Sequence, residues 1–233
     1  LGERAYALPL EAVKNGFSIA WKTAAAALVC YSLVAGLAAP VPRLFILNET
    51  IRNLYFHVPM WFTMIALMGV SLGHSIGSLQ RPGQAGLEAD QKARLAAEVS
   101  LVFASLGLFT GMIWARFTWG AYWTNDPKLN GTAVAILIYL AYFVLRSSVE
   151  DPEKRARLAG TFNIFAFVLM IVFIGVLPRM TDSLHPGNGG NPAFGSYDLD
   201  SGMRAVFYPA VLGWIGIGIW IVELRVRLTR LSK

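Results

Sequence analysis

Six stretches of this chain are apolar for long enough to cross a lipid bilayer, and no other feature limits the available folds as strongly. A hydrocarbon core about 30 Å thick takes roughly 20 residues of α-helix at about 1.5 Å each. The stretches run over about 21–40, 55–78, 96–115, 130–146, 160–178 and 203–224. Segments such as "IFAFVLMIVFIGVL" (164–177) and "VLGWIGIGIWIV" (211–222) are apolar all round, as bundle and lipid-facing helices are. Within a bilayer each backbone N–H and C=O must find a partner, and a single helix meets that demand by itself. The expected fold class is therefore all-α: a polytopic integral membrane bundle of six transmembrane helices, forming one membrane domain over 1–233. Charged residues make up only 15% of the chain, against about 25% in soluble domains, which agrees.

Orientation follows from the lysines and arginines between the spans. One side carries Arg4, Lys14 and Lys22, then Arg81, Lys92 and Arg94 in a 79–95 loop. It also carries Arg146, Lys154, Arg155 and Arg157, and a tail with Arg225, Arg227, Arg230 and Lys233. Arg43, Arg52, Arg116, Lys128, Arg179 and Arg204 fall on the other side, giving fourteen against six. This bias places both termini in the cytoplasm and the 116–129 loop outside. The net charge of +6 thus reads as membrane-edge basicity, and no nucleic-acid partner is expected.

Residues 1–20 mix Glu3, Arg4, Glu11 and Lys14 with apolar positions. They do not read as a cleavable signal peptide, and a short amphipathic segment along the membrane surface is expected. The single cysteine, Cys30, is expected to be buried in the first span, where one thiol supports neither an internal disulfide nor a CxxC redox pair. Glycines 213, 216 and 218 suit close approach of neighbouring helices.

The stretch "TWGAYWTNDPKLNG" (118–131) combines Trp119, Tyr122 and Trp123 with the polar turn Asn125, Asp126, Pro127 and Lys128. Tryptophan and tyrosine commonly anchor a span at the membrane edge. Asp126 suits the N-cap of the next helix, with Pro127 at its first position. Three histidines complete the inventory. His57 in "NLYFHVPMW" lies at the outer end of the second span, and His185 in "TDSLHPGNGGNPAF" follows the fifth span on the same side. His74 lies 17 residues beyond His57, about 25 Å deeper at helical rise, and reads as a polar residue of the inner interface.

Two histidines and an aromatic loop from distant parts of the chain thus converge on one membrane face. Zinc and copper sites usually take three or four protein ligands, more than this face offers. Haem takes one or two axial ligands, because the porphyrin supplies four nitrogens. Trp119, Tyr122 and Trp123 offer a platform for the ring. Arg52, Arg116, Lys128 and Arg179 are candidate partners for its propionates.

At these residues the chain resembles a known family. "WGAYWTNDPKL" is similar to the tryptophan-rich signature (Trp-Gly-x-x-Trp-x-x-Asp-x-Lys/Arg) of the haem-handling membrane proteins of cytochrome c biogenesis. Six spans, "YFHVP" and "LHPG" look most like the cytochrome c maturation protein C (CcmC) family; the related CcsA proteins share the tryptophan signature. The resemblance implies non-covalent, b-type haem held on the periplasmic face of a bacterial inner membrane. Delivery to a CcmE-like periplasmic haem chaperone is implied as well. It further implies CcmA/CcmB-like subunits of an ABC transporter and a small CcmD-like membrane subunit as partners. His57 and His185 match the axial ligands. Trp119, Gly120, Tyr122, Trp123 and Asp126 match the motif that holds haem and meets the chaperone. Tyr122 and Asn125 stand where the family commonly has tryptophan, and Lys128 replaces a frequent arginine, keeping the charge without the bidentate fork.

No reaction of its own is expected of such a protein. An alternative is a membrane b-type cytochrome subunit. Two bis-histidine haems would require four histidines, against three here, and a single-haem version would place both ligands within spans. A polytopic permease subunit is the other alternative, although ionisable groups near the midplane, usual in coupled transporters, are nearly absent. No Walker-type phosphate loop is present, so any ATPase is a separate chain.

Overall fold

The computed structural model describes residues 10–43, 45–185 and 198–232, with side chains from residue 16 onward. Helix α1 (Leu10–Ala38) is followed by a loop and a 3-10 turn (Asn48–Asn53) that runs directly into α2 (Leu54–Gln80). Helices α3 (Gly83–Trp119) and α4 (Pro127–Ser147) come next. The fifth span comprises α5 (Pro152–Ile171), a π turn (Val172–Val176) and the short α6 (Leu177–Met180); α7 (Ser201–Leu231) closes the bundle. Six segments are long and apolar enough to cross a membrane: Gly16–Ala38, Asn48–Gln80, Gly83–Trp119, Pro127–Ser147, Pro152–Met180 and Ser201–Leu231. The described residues hold helices and no strand, as an all-α bundle of six spans requires.

The spans are longer than hydropathy alone suggests. The 79–95 loop is replaced by a two-residue break at Arg81 and Pro82, and Lys92 and Arg94 lie on α3. Residues 83–95, "GQAGLEADQKARL", are too polar for an apolar window but rich in helix formers. They therefore prolong α3 to 37 residues, about 55 Å. In the same way residues 10–20 continue α1 rather than forming a separate surface segment; residues 1–9 lie outside the described residues. The connection expected over 116–129 spans only 120–126, because α3 runs to Trp119 and α4 begins at Pro127.

Helices α2 and α3 form a hairpin stapled by side chains that bond to backbone carbonyls of the facing helix. Asn53 donates to the Thr110 carbonyl (3.1 Å), Ser100 to Met64 (2.8 Å), Ser71 to Ala93 (2.7 Å) and Ser78 to Gly86 (2.8 Å). A carbonyl already in a helix keeps a second lone pair, so these bonds cost the helices nothing. Met64, Leu67, Met68, Phe103, Tyr139 and Tyr142 are buried in the central core beside this hairpin. Helix α7 crosses α1 closely. A Cβ at Gly213 would fall 2.9 Å from the Val29 nitrogen, and one at Gly216 would fall 2.6 Å from the Ala25 Cβ. Cys30, expected in the interior, is exposed on the outer flank of α1, because only the flank carrying Ala25 and Val29 is buried.

Arg146, counted above among the loop charges, is another correction. It lies in the last turn of α4, buried, and its guanidinium meets both carboxylate oxygens of buried Asp90 at 2.6 Å. The Tyr142 hydroxyl accepts a further bond at 3.3 Å. The prolonged α3 delivers Asp90 to this point, so the pair exists because the expected loop is helix.

Chain direction reverses at each connection, so residues 39–43, 45–53, 120–126, 181–185 and 198–200 meet at one end of the bundle. The breaks at 81–82 and 148–151 lie at the other end. Every candidate residue except His74 belongs to the first end; His74 is half-buried in the other half of α2.

Candidate functional site

Helix α3 ends where Gly120 takes the left-handed conformation (φ 82°), which a residue with a Cβ adopts only with strain. The Arg116 guanidinium turns back to bond the Gly120 carbonyl at 2.7 Å. Six residues later Asp126 starts α4: its Oδ1 accepts from the backbone N–H of Lys128 (2.9 Å) and Leu129 (3.3 Å). Pro127 occupies the first turn, where no N–H is needed.

The same carboxylate reaches the segment after the fifth span. Its Oδ2 accepts from the Leu184 N–H (2.7 Å) and the Ser183 hydroxyl (2.9 Å), and its Oδ1 accepts from the His185 ring at 3.0 Å. A carboxylate only accepts, so His185 Nδ1 carries the proton and Nε2 is left with its lone pair. Burial works to raise the Asp126 pKa. The bonds from His185, Leu184 and Ser183 outweigh that and hold the carboxyl below the usual range. Trp119, half-buried at the end of α3, stands edge-on to the His185 ring with centroids 4.9 Å apart.

His57 sits in the first turn of α2, facing α3. Its Nδ1 lies 2.9 Å from the Gly107 carbonyl and 3.2 Å from the Thr110 hydroxyl. A carbonyl cannot donate, so Nδ1 is the protonated nitrogen here too. Nε2 then accepts from the Trp61 indole N–H at 3.3 Å. Trp61 and Trp114 both stand edge-on to the imidazole, at 6.1 and 5.9 Å between centroids. Trp114 is fixed in turn by a bond from its N–H to the Thr50 hydroxyl at 3.2 Å. Two glycines of α3 make room for these rings. A Cβ on Gly111 would lie 2.6 Å from His57 Cε1, and one on Gly107 would lie 2.8 Å from Trp61 Cε2.

The start of α2, the end of α3, the start of α4 and the segment after α6 bring His57, Trp119, Lys128 and His185 to the same end of the bundle. Trp119, His185 and the Asp126 cap form one cluster there, and His57 with Trp61 and Trp114 forms a second at the same end. Tyr122 and Trp123 extend the first outward and are exposed. The Trp123 N–H donates to the Asn130 side chain (3.2 Å), which donates to Asn125 (2.7 Å). Arg52 is engaged elsewhere: it bonds the carbonyls of Gly36 (3.2 Å) and Ala39 (2.5 Å) at the end of α1 and pairs with Glu49 at 2.7 Å. Arg179 lies on α6, within electrostatic range of Lys128. The 186–202 run of Gly, Asn and Pro lies outside the described residues up to 197.

In both imidazoles Nδ1–H is held by an oxygen, which leaves Nε2 as the nitrogen with an acceptor lone pair; at His57 that lone pair takes the Trp61 N–H. Ligating histidines ordinarily carry such a second bond. Among the described residues no three His, Cys, Asp or Glu side chains surround one point. Two imidazoles, an indole edge and basic groups therefore suit a ligand that brings most of its own metal donors. Sequence reasoning missed Trp61, Trp114, Gly107 and Gly111. The first and the two glycines left a trace, since His57/Trp61 and Gly107/Gly111 are both i, i+4 pairs that share a helix face.

Comparison with known proteins gives the chain's relatives. Residues 5–233 match the family model described as "Heme exporter protein C". The chain is 28% identical over 232 residues to Heme exporter protein C of Rhodobacter capsulatus, covering 97% of this chain and 90% of the relative. It is 29% identical over 228 residues to the protein of the same name from Paracoccus denitrificans, again with 97% and 90% coverage. A 78-residue stretch is 40% identical to the cytochrome c biogenesis protein CcsA of Prochlorococcus marinus, covering 34% of this chain and 24% of that protein.

Proposed function

The chain belongs to the Heme exporter protein C family, whose members handle haem in cytochrome c biogenesis, and from that premise we propose that it holds haem at the periplasmic face of a bacterial inner membrane. It then passes the haem to a periplasmic chaperone of the CcmE kind. The observation that carries this reading is the clasp of Asp126 on His185 Nδ1, which leaves Nε2 as the acceptor nitrogen of a ring that packs T-shaped with Trp119. His57 and His185 would hold the haem iron through Nε2, and haem would be bound non-covalently, as in b-type proteins. Bound there, haem supplies an iron centre whose potential the axial imidazoles tune.

The chain's own residues bind and orient. Asp126 fixes the tautomer of His185, and the Gly107 carbonyl fixes that of His57. Trp119 flanks the ring, while Gly120, Tyr122 and Trp123 form the outer rim that the chaperone meets. Lys128, Arg116 and Arg179 are the propionate partners; Arg52, which caps α1, contributes charge from further off. The protein catalyses no bond-breaking step of its own. It works with CcmA- and CcmB-like subunits of an ABC transporter and a small CcmD-like membrane subunit, with both termini in the cytoplasm.

Purification with added haem tests the reading. The expected result is a six-coordinate low-spin spectrum that is lost in a His57→Ala, His185→Ala double variant. An unchanged spectrum in that variant sinks the axial-ligand assignment.

A further inference from the structure

His57 is the candidate ligand whose iron-binding nitrogen already has a partner. The Gly107 carbonyl obliges Nδ1 to carry the proton, so the lone pair on Nε2 is the one that the Trp61 N–H occupies at 3.3 Å. A metal ion and an indole N–H cannot share that lone pair. Trp61 is positioned for the role by sequence and packing together. It lies one turn after His57 on α2, and its ring fills the notch that Gly107 leaves in α3. At 3.3 Å the bond is at the long, weak end for a nitrogen donor, and the indole is only half-buried. The arrangement holds the imidazole in its ligating tautomer without binding it tightly.

We propose that Trp61 is a displaceable donor: it keeps the ligating nitrogen of His57 occupied in the haem-free protein, and haem is taken up as the indole gives way. Trp61 is thus a positioning residue rather than part of the haem platform. The proposal rests on the reading of His57 as an axial ligand.

The test uses the full-length purified protein in detergent, with Trp61→Phe and a second variant carrying benzothienylalanine at 61. The second keeps the indole shape and lacks only the N–H, so packing is preserved. Diethyl pyrocarbonate, which acylates unprotonated imidazole nitrogen, is applied to haem-free protein and mapped by mass spectrometry. His57 is expected to react about ten-fold faster in both variants than in the wild type. Haem titration should show a retained six-coordinate spectrum and affinity about two- to ten-fold tighter, the range set by losing one competing hydrogen bond. Unchanged reactivity and affinity, or weaker affinity in both variants, overturns the proposal. His57→Ala separates the two ideas. If it keeps the six-coordinate spectrum, the axial reading falls and the proposal with it. If that spectrum is lost while both Trp61 variants behave as wild type, the proposal alone falls.

Discussion

Asp126 accepts the Nδ1–H of His185 at 3.0 Å through the same oxygen that caps α4. One side chain, 3% exposed, thereby sets both the start of a helix and the aim of a candidate ligand from 59 residues away. Its two oxygens take five donors in all; burial works to raise its pKa, and the bonds from His185, Leu184 and Ser183 outweigh that. The sign follows: the contribution is fully present above the ordinary carboxyl value of 3.8. It is lost only as pH falls through the lower folded value.

Asp126→Asn and Asp126→Ala should therefore separate cap from clasp. Asparagine remains a good N-cap but loses the charge on the bond to His185. The amide NH2 cannot accept from the Leu184 N–H and Ser183 hydroxyl as Oδ2 does, so stability should fall by about 1–3 kcal/mol, while haem affinity falls roughly ten-fold or more, as for other changes behind a metal ligand. Alanine removes both roles and should cost a further 1–2 kcal/mol, roughly, for the lost cap. Thermal unfolding in detergent and haem titration give the two numbers. Equal loss of affinity and stability in both variants contradicts the division.

Gly111→Ala tests whether the fit of His57 against α3 matters. The added methyl would sit 2.6 Å from Cε1 of the imidazole, so the ring must move, whereas alanine favours the helix by about 1 kcal/mol. The expected outcome is a folded protein with helicity unchanged and haem binding reduced by about ten-fold or more. Circular dichroism with haem titration checks this, and wild-type haem binding in Gly111→Ala would show that the imidazole works from another position.

At the far end of the bundle, Asp90 and Arg146 form a buried bidentate pair. Removing one partner strands a charge, which costs about 3–5 kcal/mol, whereas replacing both by apolar residues is often neutral. Asp90→Ala should markedly lower the unfolding temperature, and a double Asp90→Leu, Arg146→Leu variant should recover most of it. Haem binding in the double variant should match the wild type, since the pair is far from the candidate ligands. A double variant no more stable than Asp90→Ala would show that the pair supplies more than charge balance.

The six spans were legible because a bilayer demands long apolar runs, and the N-cap at Asp126 was legible because its partners are the next residues in the chain. Residues 83–95 were misread as loop: hydropathy reports what can enter lipid, not what can be helical beyond it. Asp90–Arg146 went unseen for that reason. His57 and His185 stood out as rare ionisable residues at span ends. Trp61 did not, because a tryptophan at a membrane edge ordinarily signals anchoring, and only the three-dimensional approach of Gly107 and Gly111 gives it a different task. Arg52 illustrates the reverse. Its charge matched a propionate partner, but the carbonyls of Gly36 and Ala39 that it bonds belong to a helix end whose proximity no local pattern reveals.

Asn125, where the tryptophan signature departs from its usual form, leads to the last prediction. Its side-chain oxygen accepts from Asn130, whose own oxygen holds the Trp123 N–H. Two asparagines thus fasten the exposed rim of the site to the first turn of α4. These bonds are exposed, so Asn130→Ala should change stability by less than about 1 kcal/mol. It nonetheless frees Trp123 and Asn125 together, and a freed indole loses the order that makes it a useful contact. Trp123 fluorescence, taken as the difference between each protein and its Trp123→Phe counterpart, should become more mobile by anisotropy, and haem retention should drop by about two- to five-fold, the worth of an ordinary hydrogen bond. Asn125→Trp, which restores the usual aromatic, breaks the bond to Asn130 but leaves Asn130 free to hold Trp123. It should therefore retain haem at least as well as the wild type. If Asn130→Ala leaves both anisotropy and haem retention untouched, the rim is held by something other than this pair of asparagines.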